Sequence, residues 1–269
     1  MVLFIEQEVF MDKKTGEILA KSLTAETTEL LEYIPYLLQD LWELGSSPED
    51  MEKLIRRNIG YYKNFKVLDL ACGKGAVSVK LAENMGFYVK GIDIIEEFIE
   101  FAKAKSREHN VSHLCEFIVG DINKKVTVEK NYDIVIFGAA GNVLGSPRET
   151  MTKLRNTMKN GGFLLLDEAY LINSAESIKY ENYEYLTYDE WIEIFEKSGF
   201  VLIDEAAADT EQISHINTDV ELIEKRAEEL TEKFPDKKNI FRGYVNSQKN
   251  ECEDLEENVT GITWLLKKV

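Results

Sequence analysis

Cysteine is scarce: Cys72, Cys115 and Cys252 are the only three in 269 residues, far apart and without C-x-x-C spacing. That excludes a disulfide scaffold and a thiolate zinc site. Long apolar runs are missing too. The most apolar early stretch, LLEYIPYLLQDLWEL, carries Glu32, Asp40, Glu43 and a proline, so it does not read as a membrane span. Basic charge is in deficit, with 32 lysines and arginines against 49 acids and a formal net charge of −17. Nucleic-acid affinity rests largely on neutralising phosphates, so no nucleic-acid partner is expected, and no Lys/Arg cluster offers a local exception. Acids also occupy the opening MVLFIEQEVFMDKK, where a secretory leader needs a basic start and a long apolar core. These absences predict a cytoplasmic protein with reduced thiols, a solvated acidic surface and no membrane partner.

What is present, 44% apolar residues, suffices for one well-covered core plus a lid. From Lys66 onward strand-like and helix-like segments alternate. KVLDL (66–70), FYVKGID (87–93), CEFIV (115–119), YDIVIF (132–137) and FLLLD (163–167) read as strands. Between them Val77/Leu81/Met85 and Ile95/Phe98/Ile99/Ala102 recur at helical spacing. Ser146-Pro147-Arg148-Glu149 reads as an N-cap, a first-turn proline and a capping-box Glu, opening a helix that Gly161-Gly162 ends. A second capping box, Thr187 to Glu190, opens a helix with Trp191/Ile194/Phe195 inward, ended by Gly199. FVLIDEA (200–206) and VTGITWLLKK (259–268) complete seven strands. The pattern predicts an α/β fold: a doubly wound, mostly parallel sheet covered on both faces, with ligands at the carboxyl ends of its strands.

Two segments lie outside the core of residues 66–207 and 258–269. Residues 1–65 form an N-terminal helical cap, with a hairpin expected around Lys14-Thr15-Gly16 and a helix over 24–44 kinked near Pro35. Residues 208–257 form an insertion. Its first helix, capped by Thr218 and Glu221, sets Ile223/Ala227/Leu230/Phe234 on one face; Pro235 breaks it, and a second runs through Tyr244, Gln248 and Leu255. If FVLIDEA runs parallel to the other strands, the insertion emerges at the ligand end and serves as a lid with the cap. Arg242, Tyr244 and Gln248 are then expected near an acceptor pocket; the alternative for Gln248 is a bond to the cap backbone.

The segment VLDLACGKGAVSVKLA (67–82) is a strand, a small-residue turn and an amphipathic run. A glycine turn before a helix usually receives an anion, but Asp69 just before it would repel a phosphate and suit a ligand with a positive group. A dinucleotide fingerprint would need a glycine where Ser78 stands. Asp93 ends the second strand and Gly120-Asp121-Ile122 follows the third. Singly, Asp69 or Asp93 reads equally as a cap; the three at successive strand ends point to a site.

In this order and spacing, Asp69-Leu70-Ala71-Cys72-Gly73-Lys74-Gly75, Gly91-Ile92-Asp93, Gly120-Asp121-Ile122, the segment Tyr132–Gly138 and Lys159-Asn160-Gly161-Gly162 resemble the class I S-adenosylmethionine-dependent methyltransferases. The resemblance covers residues 64–206 and the last strand, and it implies S-adenosylmethionine as cofactor. By the same resemblance Asp69, Ala71, Cys72, Gly73 and Gly75 lie against its methionine part. Asp93 accepts from the ribose hydroxyls, Gly120 and Asp121 meet the adenine amino group, and Ile94, Ile122 and Phe137 complete the walls. Ala71 replaces the family's first glycine; alanine tolerates positive φ poorly, so a slightly different turn is expected. Cys72 reads as a packing residue. His109 and His113 near Cys115 flank a turn and do not share a helical face, so no metal site is expected.

For the acceptor, the fourth strand leads into Phe137–Asn142 without an N/D-P-P-Y/F tetrapeptide, and the loops after the fourth and fifth strands hold no cysteine. Both absences point away from nucleic acid. Asp167 and Glu168 are the catalytic candidates, as proton acceptors or ammonium partners, against the reading of a solvated strand end. Lys179–Tyr185 is Tyr-rich and reads as surface before pocket. Together these features predict methyl transfer to a small molecule by a monomer or homodimer. The alternatives are an RNA-modifying methyltransferase and a catalytically silent cofactor-binding or interaction protein.

Overall fold

Ile134, Val135, Ile136 and Phe137 are at most 1% exposed, so this strand is covered on both faces, as a strand within a parallel sheet requires. The computed structural model describes residues 13–60, 64–180 and 183–269. Residues 1–12 and 61–63 of the expected cap, and Glu181 and Asn182 of the Tyr-rich loop, lie outside the described residues. Helices α1 (Lys13–Ser22), α2 (Ile34–Leu37) and α3 (Pro48–Asn58) come first. Then follow β1 (Lys66–Leu70), α4 (Ala76–Met85), β2 (Tyr88–Asp93), α5 (Glu96–Glu108), β3 (Cys115–Val119), α6 (Ile122–Val128) and β4 (Tyr132–Gly138). The chain continues through α7 (Pro147–Thr157), β5 (Met158–Leu171), the two-residue β6 (Leu186–Thr187), α8 (Tyr188–Lys197) and β7 (Phe200–Ala207). Helices α9 (Thr210–Lys233) and α10 (Lys238–Glu257) precede the last strand, β8 (Val259–Lys268).

The strand order is 3-2-1-4-5-8-7, with β6 beside β5. Strands β1 to β5 are mutually parallel, and β8 is antiparallel to both neighbours. Strand β7 therefore runs with β1–β5, and α9 leaves at their carboxyl end, as expected. The order reverses between β1 and β4, which opens a crevice there. One face of the sheet packs on α3, α4 and α5 through Met51, Leu54, Leu81 and Ile99. The other packs on α6, α7 and α8 through Val126, Met151, Trp191 and Phe195.

A third core joins the two outer segments. Leu30, Ile34, Leu37 and Leu41 of the N-terminal segment meet Ile223, Ala227, Leu230, Phe241 and Val245 of α9 and α10. Each Leu, Ile or Phe taken fully out of water contributes about 1.5–3 kcal/mol. The ion pairs along the seam, Arg226 with Asp40 at 2.6 Å and Lys237 with Glu32 at 3.0 Å, stand in solvent and are screened. Apolar burial holds the seam.

Several boundaries differ from expectation. Lys14–Gly16 lies in α1, because Thr15, Ile18, Leu19 and Ser22 recur at helical spacing on the face turned inward. Residues 24–44 are not one helix but a 3-10 turn (Thr28–Glu32) followed by the short α2, since Pro35 has no N–H to offer Leu31. Ser47, whose Oγ accepts from the Asp50 N–H, caps the unforeseen α3. Helix α7 ends at Thr157 and the Gly161-Gly162 pair lies inside β5; Gly161, at φ +71°, accompanies the register shift opposite Tyr132 and Ile134. Helix α9 begins eight residues before Thr218, because Asp209 and Gln212 form a reciprocal cap at 2.8 and 3.0 Å.

Candidate active site

The crevice is built on the turn after β1. Cys72 N–H donates to the Ile92 carbonyl at 3.1 Å and Gly75 N–H to the Cys72 carbonyl at 2.9 Å, so the turn hangs from β2 and closes on itself. Ala71, Gly73 and Gly75 have φ of +59°, +51° and +75°. The expected change of turn at Ala71 is therefore absent: alanine takes the left-handed conformation and bears the strain. Asp69, at the end of β1, is 3% exposed and accepts from Ser78 Oγ at 2.6 Å. Burial pushes its carboxyl up to about 7, helped by the Asp93 charge and opposed by the Ser78 bond.

Asp93 spans two loops. Its Oδ2 accepts from Gly73 N–H at 2.8 Å and its Oδ1 from Ile95 N–H at 2.9 Å. Burial raises its pKa against those bonds. Asp121 caps α6, accepting from Asn123 N–H at 2.9 Å. Burial, with the neighbouring Asp69 and Asp93 charges, pushes the Cys72 thiol well above its usual range, which agrees with a packing role.

Asp69, Ala71, Cys72, Gly73, Asp93, Ile94, Gly120, Asp121 and Ile122 line one cavity of about 1050 Å³, part of it open to solvent. The expected Gly75 and Phe137 do not line it. Gly75 is the N-cap of α4, packed on Ala102 and Phe117, and Phe137 is enclosed in the core. Sequence reasoning expected the cap and the insertion as a lid but named none of the cap residues on the cavity wall, which are Ile18 and Leu19 of α1, Leu23, Trp42 and Leu44, and no described residue of 208–257 lines it. It also gave Lys74 no role. Lys74 Nζ donates to the carbonyls of Leu38 and, at 2.6 Å, Leu41, while Trp42 Nε1 donates to the Lys74 carbonyl at 3.2 Å. Burial pulls this ammonium down to about 8. The helical spacing within α1 was the available signal; for Trp42 and Lys74 the sequence has none.

Beyond Gly138 and Ala140 on the cavity wall, β5 carries two more acids inside the strand, which runs on to Leu171 and does not end at Asp167 as expected. Asp167 bonds the hydroxyls of Ser46 and Thr263, and Glu168 accepts from Tyr183 Oη at 2.8 Å. Burial pushes each up to about 7. Each keeps some accessible surface, and neither of these two catalytic candidates lines the cavity. The three tyrosines of the Tyr-rich loop are not surface residues, although Lys179 and Glu184 are exposed. Tyr180 is buried, donating to the Lys21 carbonyl at 3.1 Å, and the rings of Tyr183 and Tyr185 meet edge-on at 4.8 Å.

None of Arg242, Tyr244 and Gln248 lines the cavity. Arg242 is exposed, Gln248 is half-buried on α10, and Tyr244 is buried beneath the cap. His109 Nδ1 lies 3.0 Å from Glu83 and its ring on Trp42. Among the described residues no cluster of His, Cys, Asp or Glu is placed to hold a metal ion, and no helix is long and apolar enough to cross a membrane. The cavity thus offers carboxylates at three strand ends and apolar walls from Ile94, Ile95, Ile122 and Phe98. It suits a ligand with a positive group, hydroxyl donors and a flat ring.

The family described as a methyltransferase domain matches residues 62–258. An uncharacterised protein of Haemophilus influenzae is 26% identical over 157 residues, which are 55% of this chain and 62% of that one. The putative methyltransferase YqeM of Bacillus subtilis is 31% identical over 143 residues, 52% of this chain and 51% of that one. The chain thus spans about half to three-fifths of these relatives. Among solved structures, an S-adenosylmethionine-dependent methyltransferase of Geobacter sulfurreducens in complex with S-adenosyl-L-homocysteine has the same fold. Its TM-score is 0.75 at 20% identity, over 88% of this chain and 98% of that one.

Proposed function

Because this chain belongs to the methyltransferase-domain family, and is a class I S-adenosylmethionine-dependent methyltransferase, we propose that its methyl acceptor is a small molecule taken into an enclosed pocket. When bound, the cofactor supplies an electrophilic methyl on a sulfonium, which is a very good leaving group. The residues present fit it. Asp69 and Asp93 are enclosed carboxylates with no neighbouring cation among the described residues, so the ammonium and the hydroxyls of this ligand are the complement they lack. Asp69 faces the amino-acid end. Each Asp93 oxygen that accepts one backbone N–H keeps a lone pair for a ribose hydroxyl. Asp121 takes the adenine amino group, and Ile94, Ile95, Ile122 and Phe98 cover the ring.

The observation that carries the small acceptor is the roof. Helix α1 lays Ile18 and Leu19 over the cavity, and the seam with α9 and α10 braces the segment behind it. A folded RNA has no way in without removing that cover, and the net charge of −17 repels its backbone. Positioning and exclusion of water are what such a cover supplies to a displacement reaction. The test is turnover with methyl-labelled cofactor over small amines, phenols and carboxylates, beside tRNA and rRNA. Label is expected in a small molecule. Label in RNA alone overturns the reading, as does failure of S-adenosylhomocysteine to bind at millimolar concentration in calorimetry.

A further inference from the structure

Beside the apolar seam residues Phe241 and Val245, α10 also turns polar side chains inward. Tyr244, Ser247, Glu251 and Asp254 recur along it at helical spacing. Asp254 is explained, because it accepts from the N–H groups of Lys179 and Tyr180 at 2.8 to 3.0 Å. Glu251 accepts from Thr24 Oγ1 at 2.9 Å, and no cation among the described residues acts on it or on Glu168. Tyr244 is 2% exposed, yet among the described residues its hydroxyl makes no hydrogen bond. Burial beside Glu251 and Tyr180 holds that hydroxyl well above the usual tyrosine range.

Tyrosines link the two acids. Tyr183 joins Glu168 by its hydroxyl and Tyr185 by its ring, and Tyr185 lies in the field of both Glu251 and Glu168. This cluster adjoins the cofactor cavity. Leu23 is on the cavity wall, and the next residue, Thr24, is the one bonded to Glu251. On the other side Tyr183 reaches Gly141, next to the wall residue Ala140.

We propose that Glu168, Glu251, Tyr183, Tyr185 and Tyr244 form the acceptor pocket and that its ligand is a small organic ammonium. This rests on the methyltransferase reading. Two enclosed carboxylates without cations, walled by tyrosines, are stabilised by a cation and by little else. An ammonium passes one proton to Glu168: its N–H bond breaks, the electron pair stays on nitrogen, and a carboxylate oxygen gains the O–H. The Tyr183 hydroxyl donates to Glu168 Oε2 and so leaves Oε1 to receive it.

The probes are benzylammonium, benzyl alcohol and benzoate, titrated by calorimetry into the full chain. Benzylammonium is expected to bind at least about tenfold more tightly than benzyl alcohol, with benzoate weakest. Glu168→Gln and Glu251→Gln should each remove that preference. Their melting temperatures should hold or rise, since each deletes an uncompensated enclosed charge; if either fails to fold, Tyr244→Phe carries the same comparison. Benzylammonium binding no more tightly than benzyl alcohol, the case of no binding by any probe included, overturns the proposal. S-adenosylhomocysteine titrated into the same preparation separates the two readings. Its binding without an ammonium preference sinks this inference alone, whereas an ammonium preference without its binding keeps the pocket and sinks the methyltransferase reading.

Discussion

Asp93 has both carboxylate oxygens engaged by backbone N–H groups before any ligand arrives. It is a strut between the β1 turn and the start of α5 as well as a ligand group. Asp93→Ala should therefore cost about 1–3 kcal/mol of stability in urea unfolding, besides weakening S-adenosylhomocysteine by tenfold or more. Asp93→Asn keeps one acceptor and should lose less stability; affinity within twofold of the parent in both variants would take Asp93 out of the site. The raised acids make a second prediction. Asp69, Asp167 and Glu168 each titrate near 7 when folded, above their ordinary values of 3.8, 3.8 and 4.5. Across that interval the folded chain holds protons that the unfolded chain has released, so ligand-free stability falls as pH rises toward 7. The melting temperature should be higher near about pH 5.5 than near about pH 7.5. A cationic ligand selects the ionised carboxylates, so its binding near about pH 6.5 should release protons, seen as a heat that changes with the buffer's ionisation enthalpy. At this scale the three strand-end acids were legible, because their spacing follows the strand–helix period. Lys74 and the tyrosines gathered around Glu168 and Glu251 were not, because they are assembled from segments far apart in the chain.

At the scale of elements, the strands and the capped helices α7 and α8 could be read from local chemistry alone: apolar runs, Ser146 and Thr187, and the Glu three residues beyond each. The N-terminal segment could not. Its 3-10 turn and the four-residue α2 are shaped by which side chains reach the seam with α9 and α10, a tertiary fact that overrides local propensity. Helix α1 carries the prediction that belongs here. Ile18 and Leu19 are only half-buried and face the cavity, so Ile18→Ala with Leu19→Ala removes roof without gutting a core. The double variant should melt within a few degrees of the parent and bind S-adenosylhomocysteine several-fold more weakly. In hydrogen exchange, α1 of the parent should gain protection when the ligand binds, and that gain should shrink in the variant. An α1 that exchanges alike with and without ligand would mean the roof does not close on the cofactor.

Across the whole molecule, two cores flank the sheet and a third lies outside it, between the N-terminal segment and the α9–α10 pair. Neither partner in that third core can stand alone. Each presents one apolar face, and about 50 residues seldom support a core unaided. They should therefore form one cooperative unit that opens together while the sheet stays folded. Phe241 is the place to test this, since it is fully enclosed in the seam and its ring meets Tyr33 at 5.0 Å. Phe241→Ala should cost the unit about 3–5 kcal/mol. Lys74 couples that loss to the cavity, because the carbonyls it holds, Leu38 and Leu41, belong to the same unit and its own backbone lies in the β1 turn. Hydrogen exchange of Phe241→Ala should lose protection over residues 13–44 and 208–257 at once, with β1 and β4 keeping theirs, and cofactor affinity should fall although Phe241 does not line the cavity. Uniform loss across sheet and cap would show one indivisible fold. Loss in α9 and α10 alone, with affinity unchanged, would show that the insertion does not brace the roof.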